Sequence, residues 1–141
     1  MRRYETVYIL RPTLGEDQIN TVIDNTTKII QSDKGLIIDS DKWGIKKLAY
    51  PIKKETLGYY VFCDFAGSPE AVAEFERKFR IDDSVLRYLT IKTADVITAE
   101  EVEIATRELA TRKEAAKLAS ETNQDNGPED ESDDDSDILE D

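Results

Sequence analysis

The sequence has little of what most enzymes and structural metal sites require. Its 141 residues include one cysteine, Cys63, and no histidine. A disulfide within the chain and a cysteine-based zinc site are therefore excluded, and the commonest general base and metal ligand is missing. No apolar run approaches the roughly 20 residues that span a bilayer, and the N-terminus lacks the apolar stretch of a secretory signal. The simplest interpretation is a soluble chain in a reducing cytoplasm, without a membrane partner.

Motifs of catalysis are also lacking. The chain has no glycine-rich phosphate loop, and the carboxylates of Asp39, Asp41 and Asp64 are scattered as on an ordinary solvated surface. The acidic run at 133–135 lacks the glycine turn and the spaced ligands of an EF-hand calcium loop. The sequence therefore predicts that the protein is not an enzyme. We expect no catalytic residues, no metal site, no cofactor and no small-molecule substrate.

Basic residues are absent from the C-terminal end of the chain. Residues 119–141 hold 11 of the 31 acidic residues and no basic one, so residues 1–118 hold 20 acidic and 19 basic residues. The net charge of −12 thus belongs almost wholly to this end. The near-neutral remainder can still have a nucleic-acid partner, because the total averages two unlike segments. From Asn123 onward the composition is typical of disorder.

Hydrophobic periodicity predicts six segments of regular structure in the first 92 residues. They are a strand at 3–10, a helix with apolar residues from Ile19 to Ile30, strands at 36–52 and 59–65, a helix opened by Ser68-Pro69 that buries Val72, Phe75 and Phe79, and a strand at 85–92. Thr13 and Glu16 are predicted to cap the first helix, and Gly35 is predicted to end it in the left-handed conformation. Pro51 cannot donate a ladder hydrogen bond, so its strand is expected at a sheet edge or at a bulge.

The order of these segments is that of the ferredoxin-like, split βαβ fold. We therefore predict an α+β domain at residues 1–95, βαββαβ in order, with an antiparallel four-stranded sheet and two helices on one face. Right-handed crossovers place the first and third strands in the centre, and this domain leaves the other face uncovered. Residues 96–119 are predicted as a C-terminal helix, and residues 120–141 as a disordered acidic tail.

The predicted C-terminal helix is rich in Ala, Glu, Arg and Lys and has a thin apolar side. Thr98 and Glu101 form its predicted capping box. Its apolar residues are Val102, Ala105, Leu109 and Ala116. We expect such a helix to form only partly by itself and to become ordered on a partner.

Cationic residues are concentrated around one apolar hairpin. The stretch from Trp43 to Phe65 predicts two strands joined by a lysine-rich turn. Lysines attract phosphates and exposed rings stack on bases, whereas the alternative role of such lysines is to protect a strand edge from aggregation. In a second alternative, Arg2 and Arg87 pair with Glu5 or Asp82 on the surface. The candidate RNA-binding residues are Arg2, Arg3, Lys46, Lys47, Lys53, Lys54, Arg80 and Arg87. Several of them are expected to converge on one sheet edge.

Three segments resemble one known family in the right order and spacing. The run from Gly44 to Lys54, GIKKLAYPIKK, is similar to the signature of the bacterial small-subunit ribosomal protein S six family. The flanking matches are Met1 to Glu5 and Phe79 to Tyr88. The resemblance covers roughly residues 1–95. It implies a ferredoxin-like fold without enzymatic activity.

The resemblance also implies a function and partners. Family members are structural components of the small ribosomal subunit, and they bind the central domain of 16S ribosomal RNA together with ribosomal protein S eighteen during platform assembly. A cytoplasmic, ribosome-associated location follows. The matching basic positions are Arg2, Arg3, Lys46, Lys47, Arg80 and Arg87. Two departures weaken the expectation of bidentate contacts: Lys46-Lys47 stands where relatives often have arginines, and Leu86 where some carry a second arginine.

Two other functions remain open from the residues alone. The run from Gly58 to Phe62 has a faint similarity to the aromatic strand of RNA recognition motifs, which stack bases on their central strands. Leu57 stands where that motif has a basic residue. The other alternative is a non-ribosomal ferredoxin-like module that pairs with a protein through its uncovered face and binds no RNA.

Overall fold

The computed structural model describes residues 1–126 as four strands and three helices. These are β1 (Arg2–Leu10), α1 (Glu16–Ser32), β2 (Leu36–Ile52), β3 (Glu55–Gly67), α2 (Pro69–Ile81), β4 (Val85–Ala94) and α3 (Ala99–Asn126). The strands form one antiparallel sheet in the order β2-β3-β1-β4, with β1 and β3 in the centre. The predicted ferredoxin-like order and strand arrangement are confirmed. Among the described residues, no helix is long and apolar enough to cross a membrane.

The main core lies between the sheet and the helices α1 and α2. Alternate residues of β1 point to this side, as the strand period of two requires, and Tyr8 and Leu10 are fully buried. The Tyr8 ring lies 4.7 Å from the ring of Phe79 between centroids, and Phe65 of β3 meets Phe75 edge-on at 5.7 Å. Each such buried side chain contributes about 1.5–3 kcal/mol of hydrophobic stabilisation. Ile19 and Ile30 of α1 belong to the same buried cluster, so this core fixes both helices on one face of the sheet.

The ends of the helices differ in part from the predicted caps. Ser68 caps α2 as predicted, because its Oγ accepts a hydrogen bond from the Ala71 amide at 3.1 Å. The predicted Thr13–Glu16 box at α1 is wrong. This helix begins after Gly15, whose amide donates to the side chain of Gln18 at 2.9 Å.

The prediction that Gly35 ends α1 in the left-handed conformation is wrong. The left-handed residue is Lys34, with φ of 68°, and not the glycine that follows it. Gly35 is needed for a different reason, since a Cβ there would lie 2.6 Å from the carbonyl oxygen of Ile30 and 2.9 Å from that of Ala66. The glycine therefore permits a close approach of backbones where α1 meets the sheet.

The face of the sheet away from α1 and α2 is called the open face below. Its central residues are Arg3, Glu5, Val7 and Ile9 of β1 and Tyr60, Phe62, Asp64 and Ala66 of β3, which lie opposite one another in register. Two segments beyond the four-stranded core cover the two ends of this face: the tip of the β2–β3 hairpin and the helix α3.

The tip of the β2–β3 hairpin folds back over the open face. Leu48 is buried in a cluster with Ile9 of β1 and Leu86 of β4. Gly58 lies at the crossing, where a Cβ would be 2.3 Å from the Cγ2 atom of Ile9. The register of the hairpin shifts between Lys47 and Ile52, and β2 is an edge strand. Both features agree with the expectation that the strand containing Pro51 lies at a sheet edge or is bulged there.

Helix α3 covers the other end of the open face. Val102, Ala105 and Leu109 of α3 pack against a cluster that contains Ile38 and Ala66. The Nζ atom of Lys113 lies 2.6 Å from the Oδ1 atom of Asp39 in β2. The partner on which this helix is ordered is therefore the protein's own sheet.

Helix α3 begins at the predicted cap and ends later than predicted. The predicted capping box is present, with the Thr98 amide 2.8 Å from Oε1 of Glu101 and the Glu101 amide 3.2 Å from Oγ1 of Thr98. The helix extends to Asn126, beyond the predicted end at residue 119, because no proline or glycine interrupts the chain before Gly127. Residues 127–141 of the predicted acidic tail lie outside the described residues.

Candidate nucleic-acid interface

The folded-back hairpin gathers cationic residues at one end of the sheet. Lys46 and Lys47 pair with Gly58 and Leu57 in the ladder. Arg87 lies opposite Ile9, near the end of β1. The members of this group, called the basic end below, are Lys46, Lys47, Lys53, Lys54, Arg80 and Arg87, and all are exposed.

The turn that presents Lys53 and Lys54 has an unusual backbone. Both residues have positive φ, at 49° and 69°. They connect Ile52 and Glu55, which pair directly, and two consecutive positive φ values define the type I′ hairpin turn. Asparagine and glycine are the residues that such a turn favours. Two lysines therefore occupy positions where the backbone prefers other residues.

Among residues 1–126, no carboxylate forms an ion pair with the basic end. Within residues 1–126 the ion pairs involve Arg3, Arg11, Lys42, Arg77, Lys92 and Lys113, and none involves a member of the basic end. The alternative in which Arg87 pairs with Asp82 is therefore wrong. Exposed cations without carboxylate partners produce a positive potential that attracts phosphates.

Aromatic rings and a carbonyl oxygen hold several of these side chains in place. The guanidinium of Arg87 lies 5.9 Å from the centre of the Tyr50 ring and also donates to the Tyr50 hydroxyl. The Nζ atom of Lys46 lies 5.4 Å from the centre of the Trp43 ring. Lys53 donates to the carbonyl oxygen of Val85 at 3.2 Å. These contacts orient the cations without cancelling their charge.

Arg80 occupies the helix side of the basic end. Its Nη1 atom lies 3.4 Å from the hydroxyl of Tyr88, whose side chain packs against the main core. Arg87, one residue before Tyr88, points to the opposite face of β4. The basic end therefore presents positive charge on both sides of the same edge.

Arg2 and Arg3 lie at the other end of the sheet. They pair with Gly67 and Ala66, and the six residue steps from Arg3 to Ile9 span about 20 Å of strand. The guanidinium of Arg3 forms two hydrogen bonds to Asp64, at 3.1 and 2.8 Å, and these raise the pKa of Arg3. Arg2 is exposed, and its predicted alternative pairing with Glu5 is not formed among the described ion pairs. The eight candidates thus do not form one cluster.

Sequence reasoning missed the residue that ties down the hairpin tip. Arg11 follows β1 and donates to the Asp83 carbonyl oxygen at 2.8 Å, while its Nη1 atom lies 3.2 Å from Oε2 of Glu55. It therefore joins the hairpin turn to the loop before β4. A usable signal was the position of Arg11 at the end of a central strand, near the acidic turn at 82–83.

The part of the chain that the structure describes leaves a strip of the open face uncovered between α3 and the hairpin tip. It contains a groove of about 410 Å³ lined by Val7, Ile9, Tyr60, Leu89 and the folded-back segment from Leu48. The side chain of Leu89 is 66% exposed and that of Ile91 is 50% exposed. Exposed aliphatic side chains beside a groove are typical of a protein contact.

The rings of the open face are not arranged as a free base-stacking platform. Phe62 is stacked on Trp43, with ring centres 5.3 Å apart and planes inclined by 7°. Tyr60 packs against the Leu48 cluster. These neighbours occupy the rings that an RNA recognition motif would offer to bases. Residues 1–126 also contain no group of three acidic or cysteine side chains that would hold a metal ion.

Comparisons with known proteins agree with this architecture. The family model described as Ribosomal protein S6 matches residues 3–92. The small ribosomal subunit protein bS6 of Desulfotalea psychrophila is 52% identical over 122 residues, which are 86% of this chain and 77% of the relative. That of Caldanaerobacter subterraneus subsp. tengcongensis is 47% identical over 95 residues, which are 67% of this chain and 100% of the relative.

A solved structure supports the same conclusion. The crystal structure of 30S ribosomal protein S6 from Thermotoga maritima superposes with a TM-score of 0.61 at 25% identity, covering 82% of this chain and 97% of that one. The sequence and structural similarities extend over the whole ferredoxin-like domain. The chain therefore belongs to the ribosomal protein S6 family of small-ribosomal-subunit proteins, which are structural components and not enzymes.

Proposed function

We propose that the chain binds the central domain of 16S ribosomal RNA together with ribosomal protein S eighteen, as a structural part of the small subunit during platform assembly. The observation that carries the proposal is the basic end, where six exposed cations lie without a carboxylate partner among the described residues. Membership of a small-subunit family supplies the ribosomal context.

The distribution of charge explains why a partner is needed. Residues 1–118 carry 20 acidic and 19 basic residues, so the body as a whole has no excess of positive charge to hold RNA. Attraction to phosphates depends on the number of cations that reach them. The basic end therefore provides a local contact, and the partner protein provides much of the remaining positive charge.

RNA binding and binding of the partner protein are assigned to different surfaces of the same sheet. RNA contacts are proposed for the basic end, and the protein partner is proposed to pack on the uncovered strip of the open face beside Leu89 and Ile91. The groove in that strip lies next to Arg87. The RNA and the partner can therefore meet along the edge of β4 and form one composite surface.

The roles of the two N-terminal arginines are separated by their geometry. Arg3 is held by Asp64 and is proposed to orient β1 beneath α3, since both hydrogen bonds and the charge of its guanidinium are engaged there. Arg2 is exposed and remains a proposed RNA contact, at a site distinct from the basic end.

The chain divides into a binding domain and a C-terminal extension. We assign RNA and partner binding to residues 1–95, because 95 residues of this chain match the whole length of the Caldanaerobacter relative. Residues 96–126 then form an added helical extension. Its contacts with Ile38 and Asp39 make it a cover for one end of the sheet.

The test measures how RNA binding by the mixed pair of proteins depends on salt. Alanine at Lys46, Lys47 and Arg87 together should reduce the slope of log K against log salt by about 2–3, at about 0.7–0.9 for each lost phosphate contact. The matched control replaces three exposed lysines that form no ion pair among the described residues: Lys28, Lys34 and Lys117. Both triple variants change the net charge equally. Equal slopes for the two variants would contradict the proposed interface.

A further inference from the structure

The segment 127–141, called the acidic segment below, has a charge opposite to that of the basic end. It contains nine acidic residues and no basic one, and seven of the nine lie between Glu129 and Asp137. The basic end presents six exposed cations that form no ion pair within residues 1–126. Dense charges of opposite sign on one chain attract each other, and salt screens this attraction.

The acidic segment also carries two adjacent aliphatic residues. Ile138 and Leu139 directly follow the acidic run. The groove of the open face, about 410 Å³ in volume, is lined by apolar side chains such as Val7 and Leu89 and by the cation Arg87. The sequence of acidic and then aliphatic residues therefore matches a surface on which cations adjoin an apolar groove.

Helix α3 leads the chain along β2 towards the hairpin. Its first turns border the beginning of β2 at Leu36 and Ile37, and Lys113 contacts Asp39 further along that strand. All side chains from residue 110 to residue 121 are exposed. The distal part of α3 therefore adds length to the chain without adding to the core.

The acidic segment is long enough to return to the basic end. Asp39 and Lys46 are seven residue steps apart in β2, which is about 23 Å. Asn126 lies thirteen helical residues beyond Lys113, which is about 20 Å. The fifteen residues after Asn126 extend to about 50 Å. This length exceeds the two distances taken together.

The covalent tether favours docking within one chain over docking between two copies. A short flexible connection gives the second site an effective concentration of about millimolar. Binding assays use the protein at far lower concentrations, so a second copy competes poorly with the segment that is already attached.

We propose that the acidic segment docks on the basic end and the adjoining groove of its own chain. The acidic run lies against the cations, and Ile138 and Leu139 lie in the groove. The docked segment occupies the surfaces assigned above to RNA and to the partner protein, so both must displace it. This competition rests on the proposed function, whereas the docking itself does not.

Photo-cross-linking in the free full chain tests the docking. A benzophenone amino acid replaces Leu89, and mass spectrometry should find a product that joins position 89 to residues 127–141 of the same chain. Its yield should fall at least about fivefold at 1 M salt, where the Debye length is about 3 Å. The control carries the same group at position 81 on the helix side, where Ile81 is 71% exposed, and should not yield this product. Products confined to residues 1–126, a product between two copies, or no product overturns the docking.

RNA binding by the mixed pair of proteins tests the competition. In the full chain, the seven acidic residues from Glu129 to Asp137 are replaced by the matching amides. A segment docked for about 90% of the time reduces the apparent affinity about tenfold, because only the undocked fraction binds. The variant should therefore bind the central domain of 16S ribosomal RNA about tenfold more tightly at low salt.

A matched control separates this competition from a general change of charge. It replaces by amides seven exposed acidic residues that form no ion pair among the described residues: Asp17, Asp24, Glu70, Glu100, Glu103, Glu114 and Glu121. Equal tightening in the two variants overturns the competition, since the loss of any seven negative charges then explains it.

A variant of unchanged charge tests the aliphatic contact. I138S/L139S should also tighten RNA binding and should reduce the yield of the cross-link from position 89. An unchanged affinity together with an unchanged yield overturns the placement of these residues in the groove. If neither the native chain nor any variant binds the RNA with a dependence on salt, the proposed function fails, while the cross-link in the free chain still decides the docking.

Discussion

Replacing the two lysines of the hairpin turn should stabilise the fold and weaken RNA binding at the same time. Lys53 and Lys54 have φ of 49° and 69°, in the left-handed region that costs an L-residue about 1 kcal/mol or more. Asparagine tolerates this region and glycine enters it freely. The double variant K53N/K54G should therefore relieve about 2 kcal/mol of backbone strain.

Part of that gain is offset by a lost contact. Lys53 donates to the Val85 carbonyl oxygen at 3.2 Å, and a partly buried hydrogen bond of this kind contributes about 1 kcal/mol. The expected net stabilisation is about 1 kcal/mol, which corresponds to about 3–4 °C in melting temperature for a chain of this length. Denaturant unfolding followed by circular dichroism measures it.

RNA binding should change in the opposite direction. The variant removes two cations from the basic end, so the salt slope measured with the central rRNA domain and the partner protein should fall by about 1.5–2. The matched control is Lys34→Gly at the other end of the sheet, where φ is 68°. This control should stabilise the fold by about 1 kcal/mol and leave the slope unchanged. A stabilised K53N/K54G protein with an unaltered slope refutes the RNA role of this turn, and a destabilised one refutes the strain argument.

Three further outcomes follow from packing and burial. Gly58→Ala places a Cβ 2.3 Å from a side chain of β1 and should destabilise the fold by about 1–3 kcal/mol. Gly15→Ala places a Cβ in ordinary contact, 3.9 Å from Oε1 of Gln18, and should cost under about 1 kcal/mol. Equal effects in denaturant titrations would contradict the close crossing of Gly58 and Ile9. Burial raises the pKa of Cys63 to about 12. At pH 8 a thiol reagent should therefore label the native protein far more slowly than the unfolded chain. Comparable labelling rates would contradict a buried thiol. Val102→Ala should weaken the packing of α3 on the sheet by about 1–2 kcal/mol. Val96→Ala, at a residue that is 73% exposed, should leave this packing unchanged. If amide hydrogen exchange in α3 is the same in both variants, the contact of Val102 with the sheet does not hold the helix.

The fold was predictable because local patterns and chain order agree. Strand alternation, two amphipathic helices and the Ser68-Pro69 start specify the βαββαβ order, and few arrangements of that order satisfy the handedness of crossovers. The central position of β1 followed from apolar side chains on both of its faces. These features depend on residues close together in the chain.

The parts that were not predicted depend on residues far apart in the chain. The side on which α3 packs is decided by Ile38 and Ala66, and its own thin apolar side does not specify that surface. The back-folding of the hairpin depends on the fit of Gly58 to Ile9 and on the ties made by Arg11. Periodicity within a segment contains no information on such contacts.

The candidate site was predictable as a set of residue types, whereas its division into two ends was not. The lysine-rich hairpin and Arg87 come together because β3 and β4 both pair with β1. Arg3 was indistinguishable from an RNA contact in the sequence, and only the register of β1 with β3 places it beside Asp64. Residue types alone therefore could not tell which of the eight candidates lie together.

Co-sedimentation with ribosomal particles tests the ribosomal role most directly. The full chain, carrying a tag, is expressed in cells and their extract is run on a magnesium-containing sucrose gradient, then again after a high-salt wash. The chain should migrate with the small subunit and resist the wash, as an integral component does. A chain that stays at the top of the gradient, while intact small subunits remain available to exchange it, contradicts the ribosomal role.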